Sequence, residues 1–294
     1  MFLPKLTNVR VVGNRQFHTA DWSTHMEKTG ILKKVTLFVL ITYLTSWGLW
    51  MIAYGGDSTN SLLALVGACM PSIVGAFFLV FDKTVSKTGF GKRVYSFRRI
   101  GFKQVLIIFL FYPIILILSV IAHKLTGGTV PPLSDMLKAL SNPSQLFIFI
   151  FMGFGAGLGE EFGWRGYMLE LLQRRWNAFT SSIVVGLAWA AWHIPLRIVQ
   201  KVHGFELFIS LFMIFLLSFL FTWIYNNSNR SILSVMIAHG MVNFSTYILG
   251  SASNGQPLPI GLNVFITLFH LVFTIIIIWV YKPDTFTRKL SAES

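Results

Sequence analysis

LFIFIFMGFGAGLGEEFGWRGYMLELL, running from Leu146 to Leu172, decides the fold. Its first half carries no charge, and its second half carries Glu160, Glu161, Arg165 and Glu170. At ~1.5 Å rise per residue such a run spans a hydrocarbon layer of about 30 Å with residues to spare. A charged group at the centre of such a helix costs on the order of 2.5–3.5 kcal/mol, so each one inside a span calls for a reason.

The rest of the chain repeats the apolar theme. It has 294 residues, 54% hydrophobic and 12% charged, with a mean hydropathy of +0.66. Soluble domains carry about one quarter charged residues, so the composition selects lipid as the solvent. Eight apolar runs are long enough to span: residues 35–54, 62–81, 105–122, 146–172, 181–196, 207–225, 232–249 and 262–281. The fifth is the shortest and stops at the proline of His193-Ile194-Pro195. The expectation is an all-α polytopic membrane bundle of about eight helices with a buried polar site. The single cysteine, Cys69, excludes a disulfide framework.

The net charge of +13 does not point to nucleic acid, because the cations follow the topology. Nineteen of the 24 Lys and Arg fall in the N-terminal segment, the even-numbered connections and the C-terminus. Four fall in the odd-numbered connections, and Arg165 lies inside a span. That asymmetry predicts cytoplasmic termini, in an integral protein of the plasma (cytoplasmic) membrane. The first 34 residues show no signal-peptide pattern.

The polar residues within the spans converge in depth. At ~1.5 Å per residue, Glu160 lies roughly 18 Å from Leu172, His193 roughly 18 Å from Ser181, and Asn243 about 17 Å from Ile232. His239 lies about 11 Å from Ile232 on the same scale. Three helices thus place polar groups in one layer, with entry expected from the cytoplasmic side. His239 and Asn243, four apart, share a helix face. Glu160 and Glu161 diverge by about 100° on an ideal helix. Glu161 stands four before Arg165, the favourable order for an ion pair, which leaves Glu160 to face the bundle interior. Trp189 precedes His193 by one turn and should pack beside it. His270 has no motif partner and reads as interhelical glue; His123 sits at a span's end.

These residues carry a family resemblance. Glu160-Glu161-Phe162-Gly163-Trp164-Arg165 fits E-E-x-x-x-R, Trp189 to His193 resembles F-x-x-x-H, and His239 to Asn243 fits H-x-x-x-N. In this order, on successive spans, they resemble the CPBP family of CAAX proteases and bacteriocin-processing enzymes, also called the Abi family. Trp189 departs from the aromatic usual in that pattern, which is Phe.

The resemblance implies an intramembrane endopeptidase acting near the C-terminus of a membrane-associated or lipidated peptide. It divides the chain into a cytoplasmic N-terminal segment (1–34), a transmembrane CAAX-protease-like domain (35–281) and a cytoplasmic tail (282–294). Peptide hydrolysis needs an activated water and an oxyanion stabiliser. Glu160 is the expected general base, His193 its partner on the water, and His239 with Asn243 the oxyanion hole. Glu161, Arg165 and Trp189 give structural support. No cofactor is required in this reading. The alternative is a zinc site with Glu160, His193 and His239 as ligands, the right number and type for a catalytic metal, although no H-E-x-x-H accompanies them. A second class of function is a non-catalytic immunity or peptide-binding membrane protein.

The glycines at alternate positions from Gly153 to Gly159 follow no strand and do not make a nucleotide loop. They should permit close helix contact or a break before Glu160.

Overall fold

A computed structural model describes residues 9–12, 15–56, 58–81, 90–253 and 258–287. Lys5, Lys83, Lys87, Arg288 and Lys289 of the charge pattern lie outside the described residues. A short antiparallel hairpin, Val9–Val12 with Arg15–His18, precedes the first helix.

Among the described residues, eight helices are long and apolar enough to cross a membrane. They are α1 (Thr19–Tyr54), α2 (Ser61–Phe81), α3 (Phe102–Leu125), α4 (Pro143–Leu172), α5 (Ala178–Val199), α6 (Gly204–Asn227), α7 (Ile232–Ser251) and α8 (Ile260–Val280). Short helices at Phe90–Tyr95 and Leu133–Ser141 lie between spans. Leu44, Met51, Ile52, Phe147, Leu158 and Trp279 are well exposed on the outside of the bundle. A surface so apolar suits lipid rather than water. The indoles of Trp50, Trp164, Trp189 and Trp192 are packed inside.

Two helices run further than the hydropathy implies. α1 begins at Thr19, well before its apolar window starts at Gly30, because a helix need not end where its apolar stretch does. α5 does not stop at Pro195 but continues to Val199. Proline there deprives one carbonyl of its partner, and in a bundle neighbouring groups can make good such losses. The Tyr43 hydroxyl of α1 donates to Ala188 O, and Trp47 Nε1 donates to Trp192 O at 3.0 Å. These two bonds fix α5 against α1 along the turn that leads to His193.

The glycines of α4 set its neighbours' distance. A side chain at Gly157 would collide with the Met236 backbone of α7, and one at Gly163 with the Pro71 carbonyl of α2. No break precedes Glu160. The helix instead widens just after Glu161 into a π-helical stretch over Phe162–Leu169, an irregularity common near functional sites.

The basic end of the bundle is fastened through Glu170. Its carboxylate accepts from Arg93 and Arg230, each at 3.0 Å, and from the Tyr225 hydroxyl at 2.8 Å. One acid thereby ties the 90–95 helix, the end of α6 and the start of α7 to α4. Part of the expected tail is also docked, since Ala178 and Phe179 donate their backbone N–H groups to Asp284 O and Pro283 O.

Candidate active site

α4, α5 and α7 bring Glu160, His193, His239 and Asn243 to the wall of one cavity of about 1260 Å³. Glu160 and His239 are buried, and His193 and Asn243 are partly so. The cavity runs along the bundle rather than opening only at the basic end. Tyr54, Thr59 and Ser61 line it beside the first connection, and Val94 and Tyr95 line it at the opposite end. The expectation of entry from the basic, cytoplasmic side is therefore not singled out by its shape.

Glu160 and its neighbour point apart. Glu160 Oε2 accepts from Trp189 Nε1 at 2.6 Å. Glu161 turns the other way, fully buried, and pairs with Arg165 at 2.9 Å. Its Oε1 also meets His239 Nδ1 at 2.7 Å. A carboxylate only accepts, so Nδ1 of His239 carries the proton in that bond. The remaining nitrogen, Nε2, is left for the cavity. A carboxylate behind an imidazole fixes both its tautomer and its ring orientation.

His193 is oriented by the same logic from its own helix. Its Nδ1 lies 2.9 Å from Trp189 O, one turn back. A carbonyl likewise only accepts, so neutral His193 keeps an unprotonated Nε2. The backbone thus sets this tautomer, whereas a side chain on another helix sets that of His239.

Trp189 sits at the centre of the group. Its ring stands edge-on to His193 and His239, with centroids 5.7 and 5.4 Å away. The Arg165 guanidinium lies over it at 4.5 Å, a favourable contact in a desolvated site. Trp189 is 1% exposed, so it separates the Glu160 carboxylate from the Arg165 charge without admitting water.

Comparison with known proteins coincides with this geometry. Residues 142–245 match the family model for Type II CAAX prenyl endopeptidase Rce1-like proteins. The chain is 27% identical over 269 residues to CAAX prenyl protease 2 of Methanococcus maripaludis, an alignment covering 86% of this chain and 96% of that protein. The site-bearing core is of the CAAX-protease (CPBP) family. A shorter similarity, 26% over 144 residues, links it to lysostaphin resistance protein A of Staphylococcus haemolyticus. That alignment covers 47% of this chain and 36% of the other.

The CAAX-protease core matched in this way runs from the start of α4 into α7 and so includes every motif residue. The cavity wall, however, is completed from outside it, by Trp50 of α1 and Cys69 of α2. His270 lies apart, packed against Phe111 and Tyr112 of α3, and His123 is buried at the end of α3. Neither lines the cavity.

Among the described residues, no three of His, Cys, Asp and Glu converge closely enough to hold a metal ion. Glu160, His193 and His239 share the cavity without forming a ligand cluster as they stand.

Three features of the site leave little or no trace in the sequence. They are the Trp189 indole as a hydrogen-bond donor, Glu161 as a link between α4 and α7, and Arg197 in the cavity wall. Only Arg197 left a local signal, one turn beyond His193 in sequence.

Proposed function

We propose that this chain is an intramembrane endopeptidase that hydrolyses a peptide bond near the C-terminus of a membrane-associated or lipidated peptide. The observation that carries the reading is the convergence of Glu160, His193, His239 and Asn243 on one cavity from three membrane-spanning helices. The family match and the named CAAX prenyl protease relative support the same class of substrate.

In this mechanism a water sits between Glu160 and Nε2 of His193. Glu160 takes one of its protons as the oxygen adds to the scissile carbonyl carbon. Negative charge then develops on the former carbonyl oxygen. Asn243 Nδ2 and His239 Nε2 donate to it, the latter as an imidazolium whose Nδ1–H is held by Glu161. The tetrahedral intermediate collapses with cleavage of the C–N bond. The proton taken by Glu160 reaches the leaving amine nitrogen by way of His193. Trp189 holds the carboxylate in place throughout, and the Glu161–Arg165 pair holds the helix that presents it.

A second reading is a non-catalytic membrane protein that confers resistance by binding a peptide. The similarity to lysostaphin resistance protein A favours considering it. The two part on a nearly isosteric change. Wild type and Glu160→Gln, purified in detergent, are assayed on a fluorogenic farnesylated peptide with and without a zinc chelator. Cleavage by wild type alone, unaffected by chelator, is the expected result. Chelator-sensitive cleavage restored by zinc overturns the metal-free chemistry, and equal behaviour of both proteins overturns the protease.

A further inference from the structure

α5 carries a second cavity-lining polar group beyond His193. Arg197 follows it by four residues, so the two share a helix face and stand about 6 Å apart along the axis. Arg197 lines the same cavity, together with Gln200. Its Nη1 donates to Gln200 Oε1 at 3.1 Å, while its Nε is buried with no partner. Among the described residues, no carboxylate lies within ion-pair distance of it. Every other buried cation of the site is compensated, as Arg165 is by Glu161.

A half-buried guanidinium with an unfilled donor is costly inside an apolar bundle. Its planar fork fits a carboxylate in two parallel hydrogen bonds, which no neutral group offers. We infer that Arg197 binds the free C-terminal carboxylate of the peptide substrate. The inference rests on the endopeptidase reading and makes it more specific. At 3.3–3.6 Å per residue, two or three extended residues cover roughly 7–10 Å. A scissile carbonyl beside Glu160 and His193 would then place the terminal carboxylate within reach of an arginine one turn further along α5. Gln200 holds one arm of the guanidinium and so limits the freedom lost on binding. The cavity in this arrangement measures length: it accepts a chain end at a fixed distance from the cut and turns away an internal loop.

Two fluorogenic farnesylated peptides, identical except for a terminal carboxylate or carboxamide, test the assignment on wild type, Arg197→Gln and Arg197→Lys. Wild type should prefer the acid by about 10- to 100-fold in kcat/KM, the range for a hydrogen-bonded charge pair. Arg197→Gln should bring the ratio close to one, chiefly by raising KM for the acid, and Arg197→Lys should restore part of it. Wild type without a preference, or an Arg197→Gln variant that keeps it, overturns the inference while leaving the protease standing. Binding of the same peptides to the Glu160→Gln background, followed by fluorescence anisotropy, separates the two ideas. An acid preference in binding that depends on Arg197, beside a wild type that cleaves neither peptide, keeps the carboxylate site and removes the protease. Melting curves in detergent identify a variant that merely fails to fold, and the wild-type ratio and Arg197→Lys then decide.

Discussion

The indole nitrogen of Trp189 donates to the Glu160 carboxylate at 2.6 Å, so the residue that departs from the usual phenylalanine is bonded to the proposed base. A phenylalanine ring would fill most of that space but could not make that bond. Hydrogen bonds to charged groups contribute about 1.5–3 kcal/mol. Trp189→Phe is therefore expected to lower kcat by about 10- to 100-fold with little change in KM, beside a modest fall in melting temperature from the smaller ring. Steady-state kinetics on the farnesylated peptide checks this; a variant with wild-type kcat would make the bond incidental.

Glu160→Gln and Glu161→Gln should fail in opposite ways. The first keeps the shape of a group that faces the cavity, so it should fold like wild type and lose cleavage. The second leaves Arg165, which is fully buried, without its carboxylate. Removing one partner of a buried pair costs about 3–5 kcal/mol. A marked drop in melting temperature is expected for Glu161→Gln alone, read by thermal unfolding in detergent.

Gly163→Ala tests the contact between α4 and α2. The added methyl would meet the Pro71 backbone carbonyl, which cannot swing aside as a side-chain tip can. Overpacking of this kind costs about 1–3 kcal/mol. The same substitution at Gly155, where nothing stands nearby, should be neutral or slightly stabilising. Comparing the two melting temperatures checks the prediction without reference to activity.

Glu170→Gln should weaken the basic end of the bundle while sparing the chemistry. Glu170 accepts from Arg93, Arg230 and Tyr225, and none of these four residues lines the cavity. The expected outcome is a lower melting temperature and faster proteolysis near residues 90–95, with kcat close to wild type. Limited proteolysis beside a kinetic assay distinguishes this from a direct role in catalysis.

The eight spans were legible in the sequence because lipid imposes a simple rule, about twenty apolar residues per crossing. The depth of Glu160, His193 and Asn243 followed from counting along each helix. What stayed hidden depends on which helix lies beside which. Nothing near Glu161 in the chain announces His239, seventy-eight residues on. Trp189 reads as a ring to be packed, because the acceptor for its one polar atom, Glu160, lies on another helix. Pro195 reads as a stop because it removes one helical hydrogen bond, a loss that packing against neighbouring helices lets the helix absorb. Glu170 has only Arg174 at helical spacing, and its closer partners come from three other segments.

The π-helical stretch from Phe162 to Leu169 has a bearing on how such a site can change over time. A π turn holds about one residue more than the α turn it replaces. Loss of a single residue there would let the turn close to α geometry while the helix on either side keeps its facing, so that Glu170 would stay opposite Arg93 and Arg230. Only side chains inside the stretch, Arg165 first among them, would change their setting. The extra residue is thus a local device for placing one turn of side chains, and a one-residue deletion here should disturb the rest of the bundle less than the same deletion in a regular helical turn.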